Sequence, residues 1–141
     1  MSQTDDSPAY LQARQRMVRD QLESRDITDR RVLAAMSIVP REQFISPSIR
    51  EFAYQDCPLC IERGQTISQP YTVAMMCQAA QIGAADTVLE VGTGSGYGAA
   101  VLSRLAREVH TVERIGELAT SARLRLETLG YGNVIVHEAD G

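Results

Sequence analysis

The stretch VLEVGTGSGYGAAVLSRLA, at residues 88–106, places four glycines between an apolar run and a helix-like run: Gly92, Gly94, Gly96 and Gly98. Glycine has no Cβ, so it permits positive φ and lets a bound molecule lie against the main chain. A strand, a glycine-rich turn and a helix in this order form a nucleotide site, because the ligand binds outside the carboxyl ends of parallel strands. The stretch therefore predicts a ligand-binding loop.

The segments around this loop alternate between strand and helix patterns. Strands are predicted at residues 87–91, 109–113 and 133–141. Apolar residues recur at helical spacing from the loop to about Arg107, and again before Gly130. This alternation is typical of right-handed parallel crossovers, in which helices cover a twisted sheet. The sequence therefore predicts an α/β fold.

The first 65 residues indicate short helices separated by turns. The helix starts are predicted at Ser7–Pro8, Thr28 and Ser46–Pro47. A further helix is predicted from Pro70 to a C-terminal glycine at Gly83. We therefore expect a helical region at residues 1–65 and the α/β segment at residues 66–141.

Composition restricts the class of protein. A chain of 141 residues and 15.5 kDa, with 44% hydrophobic and 23% charged residues, indicates one soluble globular domain. No apolar run approaches the roughly 18 residues of a membrane span, so we expect no membrane partner. A net charge of -4 gives no general attraction to phosphate backbones, which disfavours nucleic acid as a partner. All 14 basic residues are arginine, which excludes a P-loop and Schiff-base chemistry because both require lysine.

Two features predict a cytoplasmic location. The first ten residues, MSQTDDSPAY, are polar and acidic, unlike a secretion signal. Three cysteines (Cys57, Cys60 and Cys77) cannot all pair with one another, which favours a reducing compartment. The spacing of Cys57 and Cys60 is compatible with a redox pair or half a zinc site. No second pair of suitably spaced ligands accompanies it, since His110 and His137 lie inside predicted strands, so we expect incidental thiols and no metal.

The glycine loop is compatible with two cofactors. GSGYGA, at residues 94–99, matches the G-x-G-x-x-G/A dinucleotide fingerprint, so a nicotinamide-dependent oxidoreductase is one alternative. EVGTGSG, at residues 90–96, matches the [D/E]-x-G-x-G-x-G loop of S-adenosylmethionine-dependent methyltransferases and uses more of the residues. Glu90 favours the methyltransferase, because a ligand with ammonium and sulfonium charges benefits from a nearby carboxylate.

Further polar residues end the other two predicted strands. Glu113 can accept hydrogen bonds from both ribose hydroxyls, which either cofactor requires. Asp140 can accept from an adenine amino group, and Gly141 leaves room for the base on the backbone. An isolated Asp-Gly is usually only a turn, so this pair is the weaker signal. Together these residues predict a nucleoside site.

Four segments resemble the protein-L-isoaspartate O-methyltransferase family: GQTISQPY (64–71), the glycine stretch (88–106), VHTVER (109–114) and MVRDQLESRDITDRRVLAAMSIVPREQFI (17–45). The resemblance implies the amino-terminal half of a Rossmann-like class I methyltransferase sheet, which further strands continue after Gly141. It implies an enzyme that methylates L-isoaspartyl residues of damaged proteins with S-adenosyl-L-methionine. It also implies a monomer at full length, and little activity from residues 1–141 alone.

By that resemblance, Ser68 falls on the active-site serine, with Thr66, Ile67 and Gln69 beside it in the pocket. The resemblance and the loop pattern together imply these cofactor-binding positions: Glu90, Gly92, Gly94, Gly96, Glu113, Asp140 and Gly141. Ser68 also precedes the helix start at Pro70, so an ordinary capping hydroxyl is its structural alternative.

The sequence departs from the family at Cys60 and Glu62, where proline and glycine are more usual. The alternatives are a methyltransferase for a small molecule or RNA, and a non-catalytic cofactor-binding fragment. For the isoaspartyl reaction, a carboxylate with an ordinary pKa near 4 is already ionised at neutral pH and needs no general base. Ser68 then serves as a hydrogen-bond donor that orients the carboxylate.

Overall fold

The computed structural model describes residues 7–141; the acidic positions 1–6 of the expected helical region lie outside it. The described chain starts with α1 (Pro8–Met17), which continues into a π-helical turn at Val18–Glu23. Next comes α2 (Arg30–Ile38). Short 3-10 turns follow at Arg41–Phe44, Pro47–Phe52 and Glu62–Gly64. The start predicted at Ser46–Pro47 is therefore a 3-10 turn.

The start of α2 differs from the predicted one. Asp29 is the N-cap residue, and its carboxylate accepts hydrogen bonds from the backbone N–H groups of Arg31 and Val32. The backbone N–H groups of Thr28 and Asp29 both donate to Oε1 of Gln78 in the neighbouring helix, at 2.8 and 2.9 Å. Both side chain types are good caps, and Asp29 is the one whose carboxylate reaches the first N–H groups of the helix.

Three parallel strands form the main sheet: β3 (Thr87–Val91), β4 (Glu108–Glu113) and β5 (Val134–Glu138). Their order is β3-β4-β5, so β4 is central among the described strands and β3 lies at an edge. The crossover helices α4 (Tyr97–Ser103) and α5 (Gly116–Thr128) pack against the strands. The predicted α/β fold is confirmed.

A small antiparallel hairpin precedes this sheet and was not predicted. It pairs β1 (Leu59–Cys60) with β2 (Thr66–Ile67). The turn between them contains two residues in the left-handed region, Arg63 (φ 60°) and Gly64 (φ 68°). Strands of two residues carry too little alternation to be detected in a sequence. The hairpin nevertheless matters, because it places Thr66 and Ile67 beside the glycine loop.

Two helices end earlier than predicted. Helix α3 (Pro70–Ala80) stops at Gln81, which itself adopts the left-handed conformation (φ 51°) expected of Gly83. Helix α4 stops at Ser103 and does not reach Arg107. The backbone N–H of Arg107 donates to the carbonyl of Asp86 at 2.9 Å, which starts strand β4. Helix α3 thus ends at a left-handed residue within the chain, whereas a contact to Asp86 directs the chain after α4 into the sheet.

The helical region and the sheet share one hydrophobic core. Tyr97, the first residue of α4, is buried against the helical region: its hydroxyl donates to Sδ of Met36 at 3.7 Å, and its ring meets Phe44 edge-on at 5.7 Å. This packing fixes the start of α4, and therefore the glycine loop that leads into it. Within residues 7–141, no helix combines the length and the apolarity needed to cross a bilayer.

Candidate functional site

One cavity of about 420 Å³ separates β2 from the glycine loop. Its walls include Thr66, Ile67 and Ser68 on one side and residues 88–95 on the other. Apolar side chains of α3 and α4 close the remainder. The structure therefore brings the QTISQP segment and the glycine loop to a single space, although about 25 residues separate them in the chain.

The glycine loop adopts a backbone that most residues disfavour. Gly92, Gly94 and Gly96 have φ angles of 93°, 55° and 98°. Gly98 lies close to Glu90: a Cβ there would be 2.5 Å from Oε2, so the Glu90 side chain would have to shift. The loop therefore presents bare main chain to the cavity, as the sequence predicted.

Glu90 extends from β3 beneath the loop and belongs to a buried polar network. Its Oε1 accepts a hydrogen bond from the Thr111 hydroxyl at 2.7 Å, and that hydroxyl lies 2.6 Å from the hydroxyl of Thr93. The pKa of Glu90 is raised to about 7, mainly by burial; the hydrogen bond from Thr111 opposes the shift, and the charge of Glu113 adds to it. This carboxylate is poised to gain from a cationic ligand.

Glu113 is the last residue of β4, and its carboxylate accepts a hydrogen bond from the glycine loop. Its Oε1 accepts from the N–H of Gly94 at 2.9 Å, and its Oε2 accepts from the N–H of Ile115 at 3.1 Å. Each carboxylate oxygen has two acceptor sites, so one site on each oxygen is left by these bonds. Glu113 thus shapes the loop and retains acceptor capacity beside it.

Ser68 is exposed at the cavity wall. Among the described residues its hydroxyl has no hydrogen-bond partner. The N-cap of α3 is Gln69, and no side chain caps that helix, so the capping role considered for Ser68 is wrong. Gln69 does not line the cavity; its amide donates to Asp56 at 3.2 Å. The Ser68 hydroxyl is therefore available to a ligand.

Arg41 donates a hydrogen bond to the backbone of Ser68, and the sequence patterns did not predict it. It is fully buried; its Nη2 donates to the carbonyl of Ser68 at 2.9 Å, and its Nε donates to the carbonyl of Ala53 at 2.7 Å. The guanidinium also lies over the ring of Tyr97, 4.9 Å from its centroid. Burial lowers the pKa of Arg41. The only sequence signal was a pair of charges directly after Pro40, inside an otherwise apolar stretch.

The last residues cross the carboxyl ends of the strands. Gly141 lies against β3, because a Cβ there would be 2.6 Å from Cγ1 of Val91. Asp140 is exposed. Both are therefore at the edge of the sheet where the glycine loop lies, although neither lines the cavity.

The side chains considered for metal or redox chemistry lie elsewhere. Cys57 precedes the hairpin and Cys60 lies in its first strand, and both are free thiols. His110 and His137 stack on neighbouring strands, with Nδ1 of His110 and Nε2 of His137 2.9 Å apart. Across residues 7–141 we find no group of three or more His, Cys, Asp or Glu residues placed to hold a metal ion.

Comparison with known proteins defines the family. The family model described as protein-L-isoaspartate(D-aspartate) O-methyltransferase matches residues 12–141. The chain belongs to this family. This finding confirms the resemblance inferred from the glycine loop and the QTISQP segment.

Curated relatives carry the name of the family. A protein-L-isoaspartate O-methyltransferase 2 from Pelobacter propionicus is 58% identical over 128 residues, which are 91% of this chain and 57% of the relative. A protein-L-isoaspartate O-methyltransferase 1 from Rhodopseudomonas palustris is 51% identical over 98% of this chain and 56% of its own length. The chain thus spans a little more than half the length of these relatives.

Solved structures agree with the fold. A protein-L-isoaspartate O-methyltransferase matches with a TM-score of 0.80 and 30% identity, over 91% of this chain and 42% of the other. A Plasmodium falciparum structure described as a beta-aspartate methyltransferase, in complex with S-adenosyl-L-homocysteine, matches with a TM-score of 0.74 over 89% of this chain and 62% of the other. At 22% identity, the second likeness concerns the fold alone.

Proposed function

We propose that this protein transfers a methyl group from S-adenosyl-L-methionine to the carboxylate of L-isoaspartyl residues in damaged proteins, as a step in their repair. The observation that carries the proposal is the shared cavity, which brings Ser68 and the glycine loop together. Family membership supports the same reaction, because the matching curated relatives are named for it.

The residues around the loop fit this cofactor chemically. The positive φ angles at Gly92, Gly94 and Gly96 expose main chain against which a methionine moiety can lie. Glu113 has acceptor capacity for ribose hydroxyls, and Glu90 offers negative charge near an ammonium or sulfonium group. When bound, the cofactor supplies an electrophilic methyl group. The family resemblance further implies cofactor contacts for Thr66 and Ile67, which line the cavity, and for Gln69, Asp140 and Gly141, which do not line it.

In this mechanism the protein mainly positions the reactants. The substrate carboxylate is ionised at neutral pH, so no residue needs to remove a proton. The Ser68 hydroxyl donates a hydrogen bond that aims one carboxylate oxygen at the methyl group. Ile67 and Val73 contribute apolar surface to the cavity wall, and an apolar surrounding favours a reaction in which opposite charges disappear.

Two measurements test this function in the full natural protein. Titration calorimetry should detect S-adenosyl-L-homocysteine and give no signal with NAD. Methyl transfer should occur to a peptide with one isoaspartyl residue and not to the matched peptide with ordinary aspartate. Binding of NAD would indicate a dinucleotide-binding loop. Binding of S-adenosyl-L-homocysteine without isoaspartyl methylation would indicate a methyltransferase for another substrate.

We further propose the setting in which the protein works. The described cysteines Cys57, Cys60 and Cys77 are free thiols, which supports a reducing compartment such as the cytoplasm.

We propose that residues 1–65 form a helical region that packs on a partial cofactor-binding domain at 66–141. We also propose a monomer at full length, which sedimentation equilibrium would test.

A further inference from the structure

A second cavity, also of about 420 Å³, lies on the other side of the glycine loop. Its walls come from the segment 43–50, the hairpin turn at 60–62, the loop residues Gly94 and Ser95, and helix α5. Thr66, Ser68 and Glu90 line only the first cavity, so the two spaces share the loop but not the proposed methyl-transfer residues. The proposed reaction makes no use of this second space.

Two arginines, Arg50 and Arg125, line this cavity, and among the described residues neither forms a salt bridge. Arg50 uses its Nε to donate to the carbonyl of Glu42 at 2.9 Å, and Arg125 uses Nη1 to donate to the carbonyl of Ser95 at 2.8 Å. Neither guanidinium has a carboxylate of the described residues within 4.0 Å. Both side chains therefore keep N–H groups beyond these bonds, since each guanidinium has five.

The electrostatic setting of Arg125 is unfavourable as it stands. Burial lowers the pKa of Arg125; the charge of Glu62 opposes this shift, and the smaller effect of Arg50 adds to it. Glu62 is exposed on the hairpin turn and, among the described residues, is the one acidic side chain that lines the cavity. Arg50 and Arg125 carry the same charge and lie in a partly buried cavity, so an anion that enters this cavity stabilises both charged forms.

Hydroxyl donors complete the lining. Ser46 and Ser48 are exposed at the rim, with their hydroxyl oxygens 3.1 Å apart, and Ser121 faces the cavity from α5. Guanidinium groups and hydroxyls together are the donors that bind carboxylate and phosphate groups in proteins. The volume is large enough for such a group together with part of the molecule that carries it.

We propose that this cavity is a binding site for an organic oxyanion, a carboxylate or a phosphate group, held between Arg50 and Arg125. The bond from Arg125 to the Ser95 carbonyl places the occupant one hydrogen bond from the glycine loop. An occupant that draws the guanidinium toward itself therefore changes the backbone environment of the loop. The site is independent of whether the chain methylates isoaspartyl residues.

Titrations at constant ionic strength test the site with three probes. The probes are inorganic phosphate, a short peptide with one ordinary aspartate, and the same peptide with asparagine. We expect phosphate, the aspartyl peptide or both to bind, to shift the backbone amide resonances of Ser95 and Gly96, and to bind at least tenfold more weakly to Arg50→Gln and Arg125→Gln. Arg30→Gln removes the same charge from an exposed position that lines neither cavity, and it should bind like the parent.

The pattern of binding identifies the source of the oxyanion. Binding of phosphate alone indicates a free small molecule, and binding of the aspartyl but not the asparaginyl peptide indicates an acidic side chain of a polypeptide. The proposal is overturned if no probe binds, or if binding is the same in the parent and both cavity variants. Circular dichroism of each variant shows whether it is folded. Because there are two separate arginine variants, the test can still be made if one of them does not fold.

Discussion

The Nη2 group of Arg41 donates to the carbonyl oxygen of Ser68 at 2.9 Å. The two residues are 27 positions apart, and Arg41 is fully buried while Ser68 is exposed at the cavity. The same guanidinium bonds to Ala53 and covers the ring of Tyr97. One buried cation thus connects the helical region, the segment with Ser68 and the helix after the glycine loop.

Replacing Arg41 should impair positioning as well as stability. We expect Arg41→Met to lower kcat of the folded enzyme by about tenfold, because the Ser68 backbone loses its fixed donor. Arg41→Lys should not restore the rate, since an ammonium group cannot reach both carbonyls in the geometry of a planar fork. Methylation kinetics on a sample whose folded fraction is measured by circular dichroism give the answer. An unchanged kcat in folded protein would assign Arg41 a purely structural role.

Removing the Ser68 hydroxyl should separate rate from cofactor affinity. We expect Ser68→Ala to lower methylation of an isoaspartyl peptide on the order of 100-fold, with little change in binding of S-adenosyl-L-homocysteine. Ser37→Ala is the control, because the Ser37 hydroxyl donates only to the Ala34 carbonyl within α2. Parent-like activity in Ser68→Ala would show that the hydroxyl does not orient the substrate.

The carboxylate of Glu113 should contribute to cofactor binding in two ways. Glu113→Ala removes an acceptor for ribose hydroxyls and frees the N–H of Gly94, so binding of S-adenosyl-L-homocysteine should weaken by roughly 1.5–3 kcal/mol. Calorimetry measures this change directly. Glu117→Ala alters an exposed glutamate on α5, and its affinity should equal that of the parent. Equal affinities in both variants would remove Glu113 from the cofactor site.

The raised pKa of Glu90 predicts how stability depends on pH. Its ordinary value is 4.5 and its value in the folded chain is about 7, so the folded state holds the proton more tightly. Stability should therefore fall as pH rises from about 4.5 to about 7, with the loss complete above that range. In Glu90→Gln this decrease should be smaller. Denaturant unfolding at several pH values tests it, and identical pH profiles would contradict the assignment.

The number of protons that Glu90 releases should depend on the charge of the bound ligand. A cationic ligand near Glu90 favours the carboxylate, so binding of S-adenosyl-L-methionine near pH 7 should release protons, and Glu90→Gln should release fewer. Calorimetry in two buffers of different ionisation enthalpy counts these protons.

Two glycines provide a matched test of backbone strain. Gly96 has φ 98°, and a Cβ there would lie 3.2 Å from Cδ1 of Leu126. We expect Gly96→Ala to lower the free energy of unfolding by about 1–3 kcal/mol. Gly132 lacks positive φ and has no atom within 4 Å of an added Cβ, so Gly132→Ala should be nearly neutral. Equal stabilities would show that the loop relaxes around a side chain.

The sequence by itself determined the local features of this protein. The strands at 87–91 and 109–113, the bare loop between Gly92 and Gly96, and the carboxylate at the end of β4 all follow from short-range patterns. Such patterns are readable because alternation, glycine conformation and side-chain direction are properties of neighbouring residues.

Only the tertiary structure decided which distant groups meet. The bond from Arg41 to Ser68 joins positions 27 apart, and that from Thr111 to Glu90 joins positions 21 apart on adjacent strands. The bond from Arg107 to the Asp86 carbonyl, which starts β4, likewise joins distant positions. Arg50 and Arg125 line the same cavity. No local pattern in the sequence indicates this, because it depends on how α5 packs against the segment 43–50. Long-range packing places these charges, and packing is a property of the whole fold rather than of any window of sequence.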